Sequence, residues 1–533
     1  MSSTRQDVVI VGAGFSGMYL LHRLRGLGCS VQVFEAGPDV GGTWFWNRYP
    51  GARVDVQSIT YSYSFDDELQ QEWVWSERYA AQPELLRYIN HVADRFDLRR
   101  DIRLETRVTA AHFDEATNRW ELETDRGDHV SAPLCIMATG CLSVSRLPDI
   151  PGLESFEGDW HHTGAWPHEG VDFTGKTVGI IGTGSSAVQS IPVIAEQADQ
   201  LTVFQRTPNF SVPAWNGPAD RELEQHVKEN YASFRQRARE SFGGDTFDFS
   251  QTPAMSVSAA EREAEFEQRW AHGGFCFLVS FVDLVTDREA NASAAEFVYR
   301  KIRGQVHDPV VAELLCPKEH PFGTKRMCVD TGYYKTYNRA NVTLVDVKSD
   351  PIAAITPKGL RLASGADYEF DSLVLATGFD AMTGALFAID IRGRDGESLR
   401  ERWSAGPRSY LGLQVAGFPN MFIITGPGSP SVLSNMMVSI EQHVEWVTDC
   451  IAYLREHGIT TIEAERDAED RWVEHVNEVG AATLLPEANS WYMGANVPGK
   501  PRVFMPYVGG VGAYRKHCDE VVAKGYEGFA LKV

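Results

Sequence analysis

Two copies of a glycine-rich strand, turn and helix signature run through this chain, and each copy alone dictates a βαβ unit. In the first, an apolar strand over residues 7–11 enters Gly12-Ala13-Gly14-Phe15-Ser16-Gly17. A helical pattern through Leu20, Leu21 and Leu24 follows, and then a strand over residues 30–34 that ends at Glu35. The glycines of G-x-G-x-x-G permit a tight turn, close backbone approach to a pyrophosphate and close helix packing. Glu35 stands about twenty residues further on, where a carboxylate can accept hydrogen bonds from an adenosine ribose. Strand before, helix after and acid at this distance make the signature specific.

The second copy has a strand over residues 176–181, the loop Gly182-Thr183-Gly184-Ser185-Ser186-Ala187 and a strand over residues 200–204. Here Gln205 takes the place of Glu35, and Arg206 follows at once. A carboxylate would repel a dinucleotide carrying a 2′-phosphate, whereas a cation attracts it. The second site is therefore expected to take NADPH, and the first, which keeps its acid, FAD. The fold class that follows is α/β, with two Rossmann-like dinucleotide-binding domains.

Charge and cysteine usage narrow the function further. A formal charge of -22 and a pI near 5.1 exclude nucleic acid or an anionic membrane as the main partner, since a general phosphate-binding face needs excess Lys and Arg. No run approaches the ~18 apolar residues of a membrane span; the nearest, residues 274–285, is broken by Ser280 and Asp283. The opening MSSTRQDVVIVGAG enters a strand almost at once, which leads us to expect no signal peptide and a cytoplasmic location. The eight cysteines contain no C-x-x-C pair, so a disulfide reductase, which shares the two-site architecture, lacks its redox couple here.

Between the two glycine loops, residues 156–167 read FEGDWHHTGAWP. This resembles F-x-G-x-x-x-H-x-x-x-W-P, the fingerprint of the type I Baeyer–Villiger monooxygenases, with Phe156, Gly158, His162, Trp166 and Pro167 in the matching places. Flavin monooxygenases that oxygenate nitrogen or sulfur are similar in their domains but carry a shorter version, without the Trp-Pro ending. Residues 41–55, GGTWFWNRYPGARVD, resemble a second signature of the family, as does PFGTKR over residues 321–326. The loop around Ser431 is similar to the phenylacetone-type version in the family, two residues longer than the cyclohexanone type. Residues 440–446, IEQHVEW, and residues 490–501, SWYMGANVPGKP, are similar to family segments as well.

The resemblance implies an FAD-containing, NADPH- and O₂-dependent enzyme that converts aryl or cyclic ketones to esters or lactones through a flavin-bound peroxide. Its alternative is oxygenation of sulfur or nitrogen in small molecules. It also implies roles for residues that are ambiguous alone. Asp55 by itself reads as a turn cap; in the family the matching carboxylate lies beside the flavin and orients an arginine, here Arg326. Lys325 is expected on the 2′-phosphate of NADPH and Trp491 near the nicotinamide, while Ser431, Val432 and Leu433 are expected to line the ketone pocket. The implied cofactor contacts, beyond Gly12, Gly14, Gly17, Glu35, Gly182, Gly184 and Arg206, are Phe15, Ser16, Gly42, Thr43, Trp44, Tyr61, Val108, Thr183, Ser185, Ser186, Gln189 and Thr207. No metal site is expected.

Residues 134–140 (LCIMATG) and 373–378 (LVLATG) are near copies, and in the family they mark where the chain leaves and re-enters the FAD domain. The expected division is an FAD domain over residues 1–141 and 380–533, with an NADPH domain over residues 142–379 inserted in it. Within the latter, residues 218–318, rich in Glu, Arg and Ala, are expected to form a helical insertion without any chemical motif. The chain is expected to act as a monomer, with a small-molecule ketone and O₂ as its partners.

Overall fold

A computed structural model describes residues 4–533; the expected domain start at residue 1 lies outside them. Two parallel sheets of five strands organise the chain. The first has the order Met421–Ile423, Leu134–Met137, Val8–Val11, Val31–Phe34, Ile102–Arg103. The second has the order Val342–Asp346, Gln200–Gln205, Thr177–Ile181, Ser372–Leu375, Asp159–His162. Each sheet is covered on both faces, by helices on one and by strands of a smaller sheet on the other, so its strands are apolar runs instead of alternating ones. Val8, Val9, Ile10, Val178, Ile180, Leu373, Val374 and Leu375 are accordingly all fully buried.

The two near copies fall at equivalent places, next to the glycine strand of each sheet. Gly12 has φ +105° and Gly182 φ +116°, and a Cβ added there would lie 2.5 Å from the Ala138 carbonyl oxygen and 2.4 Å from that of Ala376 respectively. Each Ala-Thr-Gly thus presses on the first glycine of its own loop. Only glycine tolerates both the positive φ and the approach.

A third sheet is built from Thr4–Arg5, His129–Ala132, Arg119–Thr124, Val108–Asp114 and Asp390–Arg392. Asp390–Arg392 pairs with Val108–Asp114, so the chain returns to the first unit soon after its last strand in the second sheet. Two linkers cross side by side between the units: Ser145 bridges Phe379, and the Arg146 amide donates to the Gly378 carbonyl at 2.9 Å.

Helices Arg221–Glu229, Tyr231–Glu240, Ala259–His272, Arg288–Gln305 and Pro309–Leu315 occupy the expected insertion. Asp220, Ser258, Asp287 and Asp308 cap four of them by accepting from first-turn amides, which would otherwise have no partner. Tyr231–Glu240 is stapled to the first unit. There, buried Arg235 donates to Gln70 Oε1 at 3.0 Å and Ser62 Oγ at 2.7 Å. Among the described residues no helix is long and apolar enough to cross a membrane.

Candidate active site

Each glycine loop feeds a helix that offers its positive end without obstruction. Phe15–Gly26 and Ser185–Gln197 begin at Gly14 and Gly184, with no capping side chain and no acid in the first turn. Free amides and the helix dipole at this end suit a pyrophosphate. Beside the first loop, a Cβ added at Gly42 would come to 2.9 Å from Gly14 Cα, so two stretches of bare backbone face each other there. Phe15, Trp44 and Tyr61 close the neighbourhood: the Trp44 indole donates to Tyr61 Oη at 3.2 Å, and Phe15 sits edge-on to Tyr61 at 5.7 Å. Thr43 is exposed, whereas Ser16 and Val108 are buried.

Glu35, 5 % exposed, accepts from the Ala13 amide at 2.8 Å and from the Gly37 amide at 2.8 Å. Burial raises its carboxyl above the usual range, and these amides and Arg107 pull against that. One lone pair on each oxygen remains for a ribose hydroxyl. The glycine cradle, open helix end and acid together fit the adenosine diphosphate part of FAD.

At the second loop, Thr183 Oγ1 donates to the Thr207 carbonyl at 2.9 Å, and Ser186 Oγ lies 3.2 Å from Thr163 Oγ1 of the 156–167 segment. Burial and then the charge of Arg206 hold the Lys325 ammonium below the usual lysine range, with Glu319 opposing. Glu319 is paired with Lys348 instead. Two neighbouring cations without a carboxylate bridging them fit a dianionic 2′-phosphate. Gln205, read as the substitute for an acid, turns away and donates to the Leu314 carbonyl at 2.7 Å.

Gln189, expected among the cofactor contacts, also bonds within the protein. Its Oε1 accepts from Tyr49 Oη at 2.8 Å, and its Nε2 donates to the Arg53 carbonyl at 3.1 Å. Its amide therefore joins the second glycine helix to the loop that carries Asp55, because residues 49–53 fold directly over that helix.

Asp55 and Arg326 form the centre. Arg326 Nε donates to Asp55 Oδ2 at 3.0 Å, and Nη2 donates to Oδ1 at 2.9 Å and Oδ2 at 2.8 Å. Nη1 donates to the Val432 carbonyl at 2.7 Å. The guanidinium also lies 4.7 Å from the Phe275 ring centroid and beside the Tyr492 hydroxyl. Burial alone would lower the arginine pKa; the Asp55 charge, with the neighbouring Tyr492 phenol oxygen, outweighs it and holds the group above the usual range.

Tyr492 and Phe275 were missed from sequence. The pattern drew attention to Trp491, whose neighbour Tyr492 is the one that meets Arg326. Phe275 comes from the insertion read as carrying no motif, in the short apolar 3₁₀ helix Gly274–Val279, where an aromatic reads as a core residue. The three expected pocket residues also divide: Ser431 is fully buried with its hydroxyl 3.2 Å from Cys141 Sγ, Val432 packs into an apolar cluster with Tyr492 and Phe504, and Leu433 is only half-buried. Ser431 is thus turned inward, because the tight turn at φ +32° points its side chain to the core.

The 156–167 segment works as a wedge between the linkers and the second loop. His162 Nδ1 accepts from the Gly164 amide at 3.0 Å, Nε2 is buried without a partner, and burial lowers the ring pKa. Trp166, 4 % exposed, packs against His161 and Phe173. Lys500 donates to Asp380 Oδ1 at 2.6 Å and Asn496 to the Phe379 carbonyl at 2.7 Å, which fastens the loop containing Trp491 over the second linker.

Comparison with known proteins supplies the family. The pyridine nucleotide-disulphide oxidoreductase profile matches residues 6–239. A protein of Pseudooceanicola batsensis named Baeyer-Villiger monooxygenase is 45% identical over 523 residues, covering 98% of this chain and 95% of that protein. Phenazine N-monooxygenase PhzNO1 of Lysobacter antibioticus is 42% identical, covering 99% and 97%. The solved structure of oxidized steroid monooxygenase bound to NADP is 55% identical, covers 99% of this chain and 100% of its own, and superposes with a TM-score of 0.95.

Proposed function

The chain belongs to the Baeyer–Villiger monooxygenases, and from that premise we propose that Asp55 and Arg326 are the protein's working pair in ketone oxygenation. The enzyme uses FAD, NADPH and O₂ to convert ketones into esters or lactones. When bound, FAD supplies the redox chemistry, taking hydride from NADPH and passing one atom of O₂ to the ketone while the other leaves as water.

The residues supply position and charge. Arg326 keeps a fixed positive charge where negative charge develops on oxygen, and a charge held in place beforehand needs no reorganisation during reaction. Asp55 holds the guanidinium plane by two parallel bonds. Lys325 and Arg206 hold the 2′-phosphate, and Leu433 with the backbone of Val432 borders the ketone. The paired geometry of Asp55 and Arg326, 271 residues apart in sequence, is the observation that carries this reading.

The division into an FAD domain over residues 1–141 and 380–533 and an NADPH domain over residues 142–379 is part of the same reading. It is supported by a second sheet whose strands all come from between Asp159 and Leu375. So is action as a cytoplasmic monomer, which the eight buried free cysteines and the high negative charge favour.

The test is product analysis with the FAD-loaded protein, NADPH and O₂ on a panel of aryl, cyclic and steroid ketones. Ester or lactone formation stoichiometric with NADPH supports the reading, and NADPH consumption that yields only hydrogen peroxide on every ketone overturns it. The similarity to a phenazine N-monooxygenase favours a second activity, so amines and sulfides belong in the same panel.

A further inference from the structure

The segment IEQHVEW contains a histidine that has no part in the reading above. His443 is fully buried in the helix Met436–Glu456. Its Nδ1 accepts from the Thr425 amide at 2.9 Å, which leaves the ring proton on Nε2, 2.8 Å from Tyr514 Oη. Tyr514 in turn donates to the Leu411 carbonyl. Burial, and then the charge of Arg515, push the imidazole pKa down to about 3, so the ring stays neutral and keeps this tautomer.

Both ends of this relay hold strained backbone. Thr425 has φ 55° and Leu411 φ 58°, a region that residues with a Cβ rarely adopt. The two turns also abut: a Cβ added at Gly412 would lie 2.6 Å from Ser429 Cβ, and one at Gly426 would lie 2.5 Å from the Gly412 carbonyl oxygen. Thr425 opens the loop that runs to Asn435. Below that loop, Cys141 Sγ donates to the Thr425 carbonyl at 3.1 Å and meets Ser431 Oγ at 3.2 Å; at its tip the Val432 carbonyl accepts from Arg326.

We infer that His443 is a positioning residue for oxygenation: by holding Thr425 directly and Leu411 through Tyr514, it seats the loop whose Val432 carbonyl fixes the approach of Arg326. The inference rests on the roles proposed above for that loop and for Arg326. It assigns His443 no contact with ketone or cofactor.

The experiment compares His443→Leu, His443→Gln and Tyr514→Phe in the full FAD-loaded protein. It reads flavin bleaching by NADPH without oxygen, ketone KM and kcat, hydrogen peroxide per NADPH, and the ratio of regioisomeric esters. Bleaching should match the parent in all three. His443→Leu should raise ketone KM and peroxide leakage on the order of tenfold and shift the ester ratio, since small misplacements at a reacting centre cost this much or more. Tyr514→Phe should act in the same direction more weakly. His443→Gln, whose amide can accept from Thr425 and donate to Tyr514, should return towards the parent.

Parental KM, coupling and ester ratio in both His443→Leu and Tyr514→Phe overturn the inference. So does a uniform fall of every step, bleaching included, with His443→Gln no better than His443→Leu, which would mark a general packing role. If His443→Leu does not retain FAD, Tyr514→Phe decides. Arg326→Ala is run alongside: parental oxygenation there removes the underlying reading, whereas its loss together with unaffected His443 and Tyr514 variants removes only this inference.

Discussion

Arg326 and Asp55 meet in a bidentate pair with three N–O distances between 2.8 and 3.0 Å, although 271 residues separate them. Hydride transfer alone has no need for a guanidinium fixed in this way. Arg326→Ala should therefore retain FAD and be bleached by NADPH at the parental rate, but lose ~100- to 1000-fold in ester formation and release hydrogen peroxide. Asp55→Ala should slow both bleaching and oxygenation, because a buried guanidinium left without its carboxylate samples positions that obstruct either step, which removing the guanidinium altogether does not do. Stopped-flow absorbance followed by ester quantification separates the two steps.

Lys325 and Arg206 should decide coenzyme choice. Replacing either by Ala removes a charge-assisted contact worth ~1.5 to 3 kcal/mol, about ten- to a hundredfold in kcat/KM for NADPH. Use of NADH should hardly change. Comparable kcat/KM for the two coenzymes in the parent would show that neither cation reads the 2′-phosphate.

The first glycines of the two loops offer a test of the duplicated architecture. Gly12→Ala should lower FAD content, while Gly182→Ala should raise KM for NADPH in a protein that keeps its flavin. Each new Cβ must move a carbonyl oxygen now 2.5 or 2.4 Å away, at a backbone conformation costing ~1 to 3 kcal/mol for Ala. Flavin absorbance per protein and NADPH titration check the two variants.

Asp245 should make the fold sensitive to pH. It is 6 % exposed, its Oδ2 has no partner, and burial pushes its pKa from 3.8 up to about 7, against one hydrogen bond from the Thr246 amide. A folded pKa above the unfolded one means that the group's contribution is complete below pH 3.8 and is lost as pH rises towards 7. A shift of this size corresponds to roughly 4 kcal/mol. Asp245→Asn, which cannot ionise, should match the parent in Tm near the acid end of this window and exceed it increasingly up to neutrality. A Tm difference that is the same at both ends would show that Asp245 is already ionised in the fold.

The two dinucleotide units were legible in the sequence because their determinants are local: apolar strand, glycine turn, helix and acid lie within one short stretch. The Ala-Thr-Gly copies likewise announced a repeated strand, and the two sheets place them at equivalent positions. Asp55 and Arg326 were reachable only through resemblance, since neither residue's immediate neighbours distinguish it from a turn cap or a surface cation. Phe275, Tyr492 and the relay from His443 to Leu411 were not legible, because each acts through contacts between distant segments.

The sequence by itself determined which residue types stand at each glycine turn, and thereby two nucleotide sites with opposite charge at their ribose ends. Only the tertiary structure decided that Gln189 and Gln205 spend their amides on backbone and neighbouring side chains, that Ser431 faces the core, and that one guanidinium is shared between a carboxylate, a carbonyl and two aromatic residues. The physical reason is that turn chemistry and strand propensity act over a few residues and can be read in order. A hydrogen-bond partner is set by which segments packing brings together, and a buried polar group takes the partner that packing leaves nearest.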